Sequence, residues 1–445
     1  MNRRLFRVAF LVPHMTVSSA AAVPELRVEP HSKGFPHGTA GRSIGELHGK
    51  LGLTPHGFTS PVLLLRDSAL RRNLRAMREF CAASEISLAP HVKTTMSPEI
   101  IARQFEYGAW AATVANCTQA AAVRAMGVGR VLIANEVVDP DGIAWLGTEL
   151  DRDERFTALC YVDSAAAVVA LDSVLSARGQ RRQLPVLLEY GVTGGRTGVR
   201  TADEALKVAV LVANSPHLRL AGVAGFEGIL GADGDIEEVT AYLRNLRAVA
   251  DQVYQRWAAD GAEFIVTAGG SSFVELVRDE FDAVWRAGRP IRVIVRSGCY
   301  ATHDSGAYAD IRRSMAGRTA PLLLEPALEL WARVLSRPEP DLAIADFGKR
   351  DVGTDAGLPV PHSVLRRGAT RVEPAPPCTV TRLNDQHAYL RLAAPASNGH
   401  PHRAVEVGDL IGFGISHPCT TLDKWRLIPI VDDDRTLVDI ARTWF

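Results

Sequence analysis

The chain has 445 residues, 47% apolar and 22% charged, a balance normal for a globular protein and a length that suits two domains. Lysine plus arginine and aspartate plus glutamate number 50 each, so no basic excess exists to neutralise a phosphate backbone and nucleic-acid binding is excluded as a leading function. Six scattered cysteines without a CxxC point to a reducing compartment, and no apolar run reaches the length of a membrane span.

Arg3-Arg4 precede an apolar stretch, and mostly small residues fill Ser18 to Val23, the outline of an export signal. Arg7, Pro13 and His14 interrupt that stretch, so a cytoplasmic protein is expected instead. Residues 1–60 read as an irregular extension, with Gly, Pro and His crowding 24–60. Val62–Arg66 reads as a strand, Ser68–Glu79 as a helix, and Ile86–Val92 as a strand ending at Lys93. Ser97-Pro98-Glu99 opens a helix with a capping hydroxyl, a first-turn proline and an acid at the positive helix end. Ala111–Ala115 and Arg130–Ala134 are strands flanking a helix over Thr118–Met126. Phe156–Val162, Pro185–Tyr190, Leu218–Phe226, Glu263–Thr267 and Ile291–Val295 continue the strands. Helices follow Asp163-Ser164 and cover Ala202–Ala213, Ile236–Trp257 and the region of Phe273–Phe281.

Repeated βα units imply a parallel sheet, and eight of them close a barrel. The eight strands from Ile86 to Val295 make that barrel, an α/β domain over residues 61–321. Val62–Arg66 is left to join the second domain. From Leu322 the pattern changes to strands and short turns: Leu328–Ser336, Leu342–Asp346, Cys378–Leu383, Ala388–Leu392, Leu410–Gly414 and Arg426–Val431. Residues 322–445 therefore read as a mostly antiparallel β domain.

In a β/α barrel the active site lies at the C-terminal strand ends. Lys93, Gly194-Gly195-Arg196-Thr197-Gly198, Gly225-Phe226-Glu227-Gly228, Gly269-Gly270-Ser271-Ser272 and Arg296-Ser297-Gly298-Cys299-Tyr300 all fall there. Lys93 alone is a lysine snorkelling from a strand end, or an amine tuned to attack an aldehyde. Gly269, Gly270 and Ser271 lie between a strand and a helix, where backbone N–H groups can hold a phosphate or where glycines simply turn the chain. Arg196 is a surface cation or a guanidinium aimed at a ring nitrogen or an anion. Tyr300 donates to a phosphate or caps the barrel. His417 and Cys419 could share zinc, yet two ligands do not close a structural site, and their spacing alone favours a histidine and a buried thiol. Asp346, Asp351 and Asp355 read as solvated turn acids. His91 and His387 stay undecided.

Pro90-His91-Val92-Lys93-Thr94, Gly195-Arg196-Thr197-Gly198-Val199, Gly225-Phe226-Glu227-Gly228, Gly269-Gly270 and His417-Pro418-Cys419-Thr420-Thr421 together resemble the D-serine dehydratase and D-threonine aldolase family. These are fold-type III pyridoxal-phosphate enzymes, distant relatives of alanine racemase, and the resemblance runs from about Ser60 onward. It implies that Lys93 carries pyridoxal 5'-phosphate (PLP) and that Arg196 faces the pyridine nitrogen. It also implies that Gly269, Gly270 and Tyr300 form the phosphate cradle, to which Ser271 is added as a candidate by its position after the glycine pair. His417 and Cys419 would hold a divalent metal, zinc or alternatively manganese, which reverses the reading from spacing. A homodimer acting on a small D-amino acid is implied too.

The resemblance further implies that Lys93, once displaced by the substrate amine, takes the α-proton. Dehydration of a 3-hydroxy-D-amino acid then ends in a keto acid and ammonia, whereas aldol cleavage gives glycine and an aldehyde. Cys419 favours dehydration, since family aldolases tend to carry aspartate there. Ser271-Ser272 and Thr421-Leu422-Asp423-Lys424-Trp425 depart from the family pattern, which leaves D-serine, D-threonine and a 3-hydroxy-D-aspartate all open as substrates. A non-catalytic PLP carrier would have no need of the β domain. A racemase would need a second acid–base group, for which the β domain offers Tyr389 inside a strand.

Overall fold

The computed structural model describes residues 25–54, 57–230, 235–257, 262–306, 322–393 and 403–445. The strands before residue 300 are β1 (Val62–Arg66), β2 (Ser87–Leu88), β3 (Ala112–Val114), β4 (Arg130–Glu136), β5 (Thr157–Val162), β6 (Leu184–Tyr190), β7 (Leu218–Gly225), β8 (Phe264–Ala268) and β9 (Ile291–Val295). Most are short runs apolar on both faces, the pattern of strands buried between helices and a barrel interior. β2 to β9 pair in parallel in the order β2-β9-β8-β7-β6-β5-β4-β3. A single parallel bridge between His91 and Thr113 closes the circle, with Trp110 N–H donating to Leu88 O at 2.6 Å and Thr113 N–H to Pro90 O at 2.8 Å. Side chains alternate as the pleat demands: Leu187 packs with Leu132, Leu159, Ala221 and Ile294 inside the barrel, while Val186 and Leu188 pack outward under the helices.

The expected first barrel strand is the one that departs most from its reading. The regular strand stops at Leu88, and Val92–Thr94 form a 3-10 turn holding Lys93. Hydrogen bonds to both neighbours continue past Leu88, with Ala89 N–H on Val295 O, Thr113 N–H on Pro90 O and His91 N–H on Arg296 O, before the chain turns at Val92. The helix cap expected at Ser97 is present, its Oγ accepting from Ile100 N–H. A helix over Pro140–Arg152, capped by Asp139, has no counterpart in the sequence reading.

The second sheet contains β10 (Leu328–Glu339), β11 (Leu342–Ala345), β12 (Val360–Leu365), β13 (Val372–Pro374), β14 (Cys378–Leu383), β15 (Ala388–Leu392), β16 (Leu410–Gly414), β17 (Leu427–Val431) and β18 (Leu437–Arg442). Its path is β13-β12-β16-β10-β1-β17-β18, and β11, β15 and β14 branch from β10. β1 lies antiparallel to β10, with Leu63 opposite Leu330, and parallel to β17, with Leu65 opposite Ile430. β12, β13 and β18 were not expected: Pro361, His362, Ser363, Glu373 and Asp439 dilute the apolar alternation by which strands are read.

The described residues between 25 and 60 are irregular apart from two single turns, but they are packed. Phe35, Leu47, Leu51 and Phe58 are buried in a cluster with Trp331 and Leu437. The export-signal reading lies outside the described residues. Among the described residues no helix is long and apolar enough to cross a membrane.

Candidate active site at the barrel mouth

Lys93 stands exposed on its 3-10 turn at the C-terminal end of the first barrel strand. Its neighbour Thr94 is buried and points across the domain boundary: Oγ1 lies 3.3 Å from Cys419 Sγ and 3.8 Å from Cys299 Sγ. The rim segment after β9 fits against this turn because residue 298 is glycine. A Cβ there would meet His91 O at 2.5 Å and Thr94 Oγ1 at 2.7 Å. Thr94, Cys299 and Cys419 are brought together although the sequence separates them widely.

The glycine segment after β8 behaves differently from its reading. The N–H groups of Gly269 and Gly270 donate to the two carboxylate oxygens of Glu227, at 2.9 and 2.8 Å, and Glu227 is fully buried. These two amides therefore do not face an incoming phosphate. Gly269 has φ +83°, a left-handed conformation that favours glycine. Ser271 Oγ accepts from Cys299 N–H at 3.1 Å, which ties the β8 and β9 rims together. Tyr300 is buried beside Gln104 and Cys81, and burial pushes its phenol well up. It lines the back of the rim.

Arg196 is exposed on the loop after β6, its guanidinium 4.8 Å over the Phe226 ring. Arg200 braces that loop through the carbonyls of Thr197 and Gly198, at 2.7 and 2.6 Å. A buried arginine that the sequence reading left without a role lies deeper. Arg296 donates to Thr267 Oγ1 and to Gly225 O, both at 2.6 Å. Its signal was a cation ending the apolar run Ile291–Val295, the same signal that marked Lys93.

Several polar atoms on these strands are buried with no hydrogen-bond partner among the described residues: His91 Nδ1, Tyr161 OH, Glu189 Oε2 and both carboxyl oxygens of Glu136. Burial, then the neighbouring Glu189, push Glu136 up to about 8. Burial, with Lys93 and Arg296 nearby, holds His91 well below the usual histidine range. Orphaned polar groups are costly, and at a barrel mouth they suit a polar guest that donates and accepts hydrogen bonds. The donor set, a free-standing lysine amine and two arginines, fits PLP.

The β-domain side is a bonded network. His417 Nδ1 shares a proton with Asp355 Oδ2 at 2.6 Å, and Thr420 Oγ1 donates to Asp355 Oδ1 at 2.7 Å. Asp355 is exposed, in keeping with its reading as a solvated turn acid, and it also orients the imidazole, a role that reading did not include. Asp351 is buried, accepting from Gly348 N–H and Lys33, and Asp346 is half-buried with Ser60 and Arg333 N–H. The Cys299 hydrogen bond leads the causes that bring Cys419 down to about 4, against burial, with His417 and Thr94 adding to it. Cys419 in turn leads the causes that raise His417 to about 9, against burial, with Asp355 adding to it. An imidazole fixed through Nδ1 leaves Nε2 for a metal, and a thiolate beside it suits zinc. Among the described residues no three His, Cys, Asp or Glu side chains form a ready cage. The described residues thus supply a pair of donors.

Comparison with known proteins gives matching results. The family model for the alanine racemase N-terminal domain matches residues 65–289, and that for a putative serine dehydratase domain matches residues 327–431. The chain is 27% identical over 377 residues to a D-threonine aldolase of Arthrobacter sp., covering 84% of this chain and 89% of that protein. It is 25% identical over 370 residues to a D-threo-3-hydroxyaspartate dehydratase of Delftia sp. (strain HT23), covering 81% and 91%. The crystal structure of D-threonine aldolase from Filomicrobium marinum superposes with a TM-score of 0.71 at 26% identity, covering 88% of this chain and 97% of that one.

Proposed function

The chain belongs to the alanine racemase N-terminal domain family, and from that premise we propose a PLP-dependent lyase that removes water and ammonia from a 3-hydroxy-D-amino acid. The observation that carries this reading is the contact between the Lys93–Thr94 turn and Cys419, 3.3 Å from Thr94 Oγ1. It puts the turn that carries an amine able to hold an aldehyde against the segment that carries a thiol and an imidazole able to hold a Lewis acid. Relatives matched over more than four-fifths of the chain are an aldolase and a dehydratase of D-configured hydroxyamino acids, which supports the substrate class.

When bound, PLP would supply an aldehyde and an electron sink at the substrate's α-carbon, and a divalent metal would supply a Lewis acid at the β-hydroxyl. Lys93 would hold the aldehyde, and its amine at the rim offers the base for the α-proton. Arg196 would serve the ring nitrogen. Gly269 and Gly270 shape the turn of the rim that would take the phosphate, Ser271 offers a hydroxyl there, and Tyr300 supports that rim from behind. His417 and Cys419 would hold the metal, with zinc favoured by the thiolate–imidazole set and manganese the alternative. Asp355 keeps the His417 ring in the orientation that leaves Nε2 free. The molecule works as a homodimer.

A panel of D-serine, D-threonine and the 3-hydroxy-D-aspartates, with and without a chelator, tests the reading. Keto acid and ammonia in equal amounts, abolished by the chelator, are expected. Glycine plus an aldehyde would instead establish the aldolase reading, which the 27% identity to a D-threonine aldolase favours. A panel without any product would leave a PLP carrier.

A further inference from the structure

We propose that Cys299 and Cys419 form a hydroperoxide-reactive pair, a modification site in which oxidation joins the barrel rim to the β domain through a disulfide. The two sulfurs lie 3.4 Å apart although 120 residues separate them in the chain. Cys299 comes from the turn after β9, with its backbone N–H held by Ser271 Oγ, and is buried. Cys419 opens the short helix Cys419–Leu422 and is partly exposed. A partly exposed sulfur next to a buried second one is the arrangement of a peroxide-sensing cysteine and its resolving partner. No disulfide joins any of the six cysteines in the reduced structure. Bond formation needs the sulfurs to approach by about 1.4 Å, from 3.4 Å to a bond of about 2.05 Å.

The chemistry balances with a hydroperoxide as the named oxidant. The Cys419 sulfur attacks the O–O bond, which breaks; sulfur keeps one oxygen as sulfenic acid and the other leaves as an alcohol, or as water from hydrogen peroxide. The Cys299 sulfur then attacks Cys419, the S–S bond forms, the S–O bond breaks, and hydroxide leaves with the Cys299 proton as water. The sulfur pair loses two electrons, and the peroxide gains them. The functional consequence rests on the metal reading above: the disulfide consumes one of the two metal donors, and a metal already on Cys419 shields it from peroxide.

The test uses the full chain, first stripped by a chelator and in parallel loaded with zinc. Each sample is treated with hydrogen peroxide, blocked with an alkylating agent, and mapped by non-reducing proteolysis and mass spectrometry. The metal-free protein is expected to lose two of its six titratable thiols and to yield a Cys299–Cys419 cross-linked peptide that dithiothreitol cleaves. In Cys299→Ser, a sulfenic-acid trap should label Cys419 instead. Zinc should suppress the cross-link. A cross-link indifferent to zinc keeps the pair and removes the metal reading. Zinc binding with six thiols surviving peroxide, or with Cys419 over-oxidised and never cross-linked, overturns the pair and leaves the metal reading intact.

Discussion

The two sides of the barrel mouth are built on opposite principles. On the barrel side, His91, Tyr161, Glu189 and Glu136 bury polar atoms that no described side chain satisfies. On the β-domain side, His417 and Thr420 bond to Asp355, and Cys419 bonds across to Thr94 of the barrel turn. The first arrangement is complete only with a guest, whereas the second keeps its geometry through internal bonds. A cofactor on the barrel side should therefore stabilise the protein strongly, and a metal on the other side should compete mainly with protons.

Lys93→Ala cuts deepest into this contrast. It should lower turnover by about 1,000-fold or more and abolish the visible absorbance of lysine-held PLP, while the metal content stays at the wild-type level. If the metal is lost as well, the two sides are not independent. Asp355→Asn attacks the other side: metal affinity, read by competition with a chromophoric chelator, should weaken about 10- to 100-fold with PLP absorbance unchanged.

The pH dependence of metal affinity sharpens the comparison further. Between pH 4 and pH 9 the His417 imidazole is protonated and the Cys419 thiol ionised, so binding must release one proton. Affinity should rise about tenfold per pH unit up to about 9 and then flatten. Stability of the metal-free protein follows from the same signs. His417 is raised, so its contribution is whole below 6.5 and lost as pH climbs through about 9. Cys419 is lowered, so its contribution is whole above 9.0 and lost as pH falls through about 4. Thermal unfolding of wild type against Cys419→Ser across this range reads the pair directly.

The smallest effect expected is Glu136→Gln. Glu136 is raised to about 8, so it stays neutral in the folded protein while it ionises in the unfolded chain, and stability falls as pH climbs from 4.5 toward that value. Glutamine removes that penalty. The cofactor-free protein should melt about 2 °C higher at pH 8, with no gain at pH 4. A lower Tm at pH 8 would mean that the carboxylate has a partner and that the barrel side is not built for a guest.

Much of the architecture was legible in the sequence because it is written locally. Ile236–Trp257 and Ile291–Val295 carry helix and strand periods over their whole length, and the structure returns the same limits. Lys93 and His417 stood out as charged or ligating residues at strand ends. What escaped depends on partners distant in sequence. Glu227 takes the amides of Gly269 and Gly270 from 42 and 43 residues away, and Asp355 reaches His417 across 62. A carboxylate in a turn has the same sequence signature whether it faces water or an imidazole.

The placement of β1 has a consequence for how the molecule is made. Since β1 sits between β10 and β17, the entire barrel is topologically one long connection between neighbouring strands of the other sheet. On a ribosome, Val62–Arg66 emerges early and must wait, unpaired, until the barrel and then Leu328–Glu339 have been synthesised. Such distant pairing is slow to form. A fragment starting at residue 322 would present β10 and β17 with an empty slot between them, two bare strand edges inviting another chain to fill it. The β domain is therefore a unit of structure without being a unit that the cell can translate by itself.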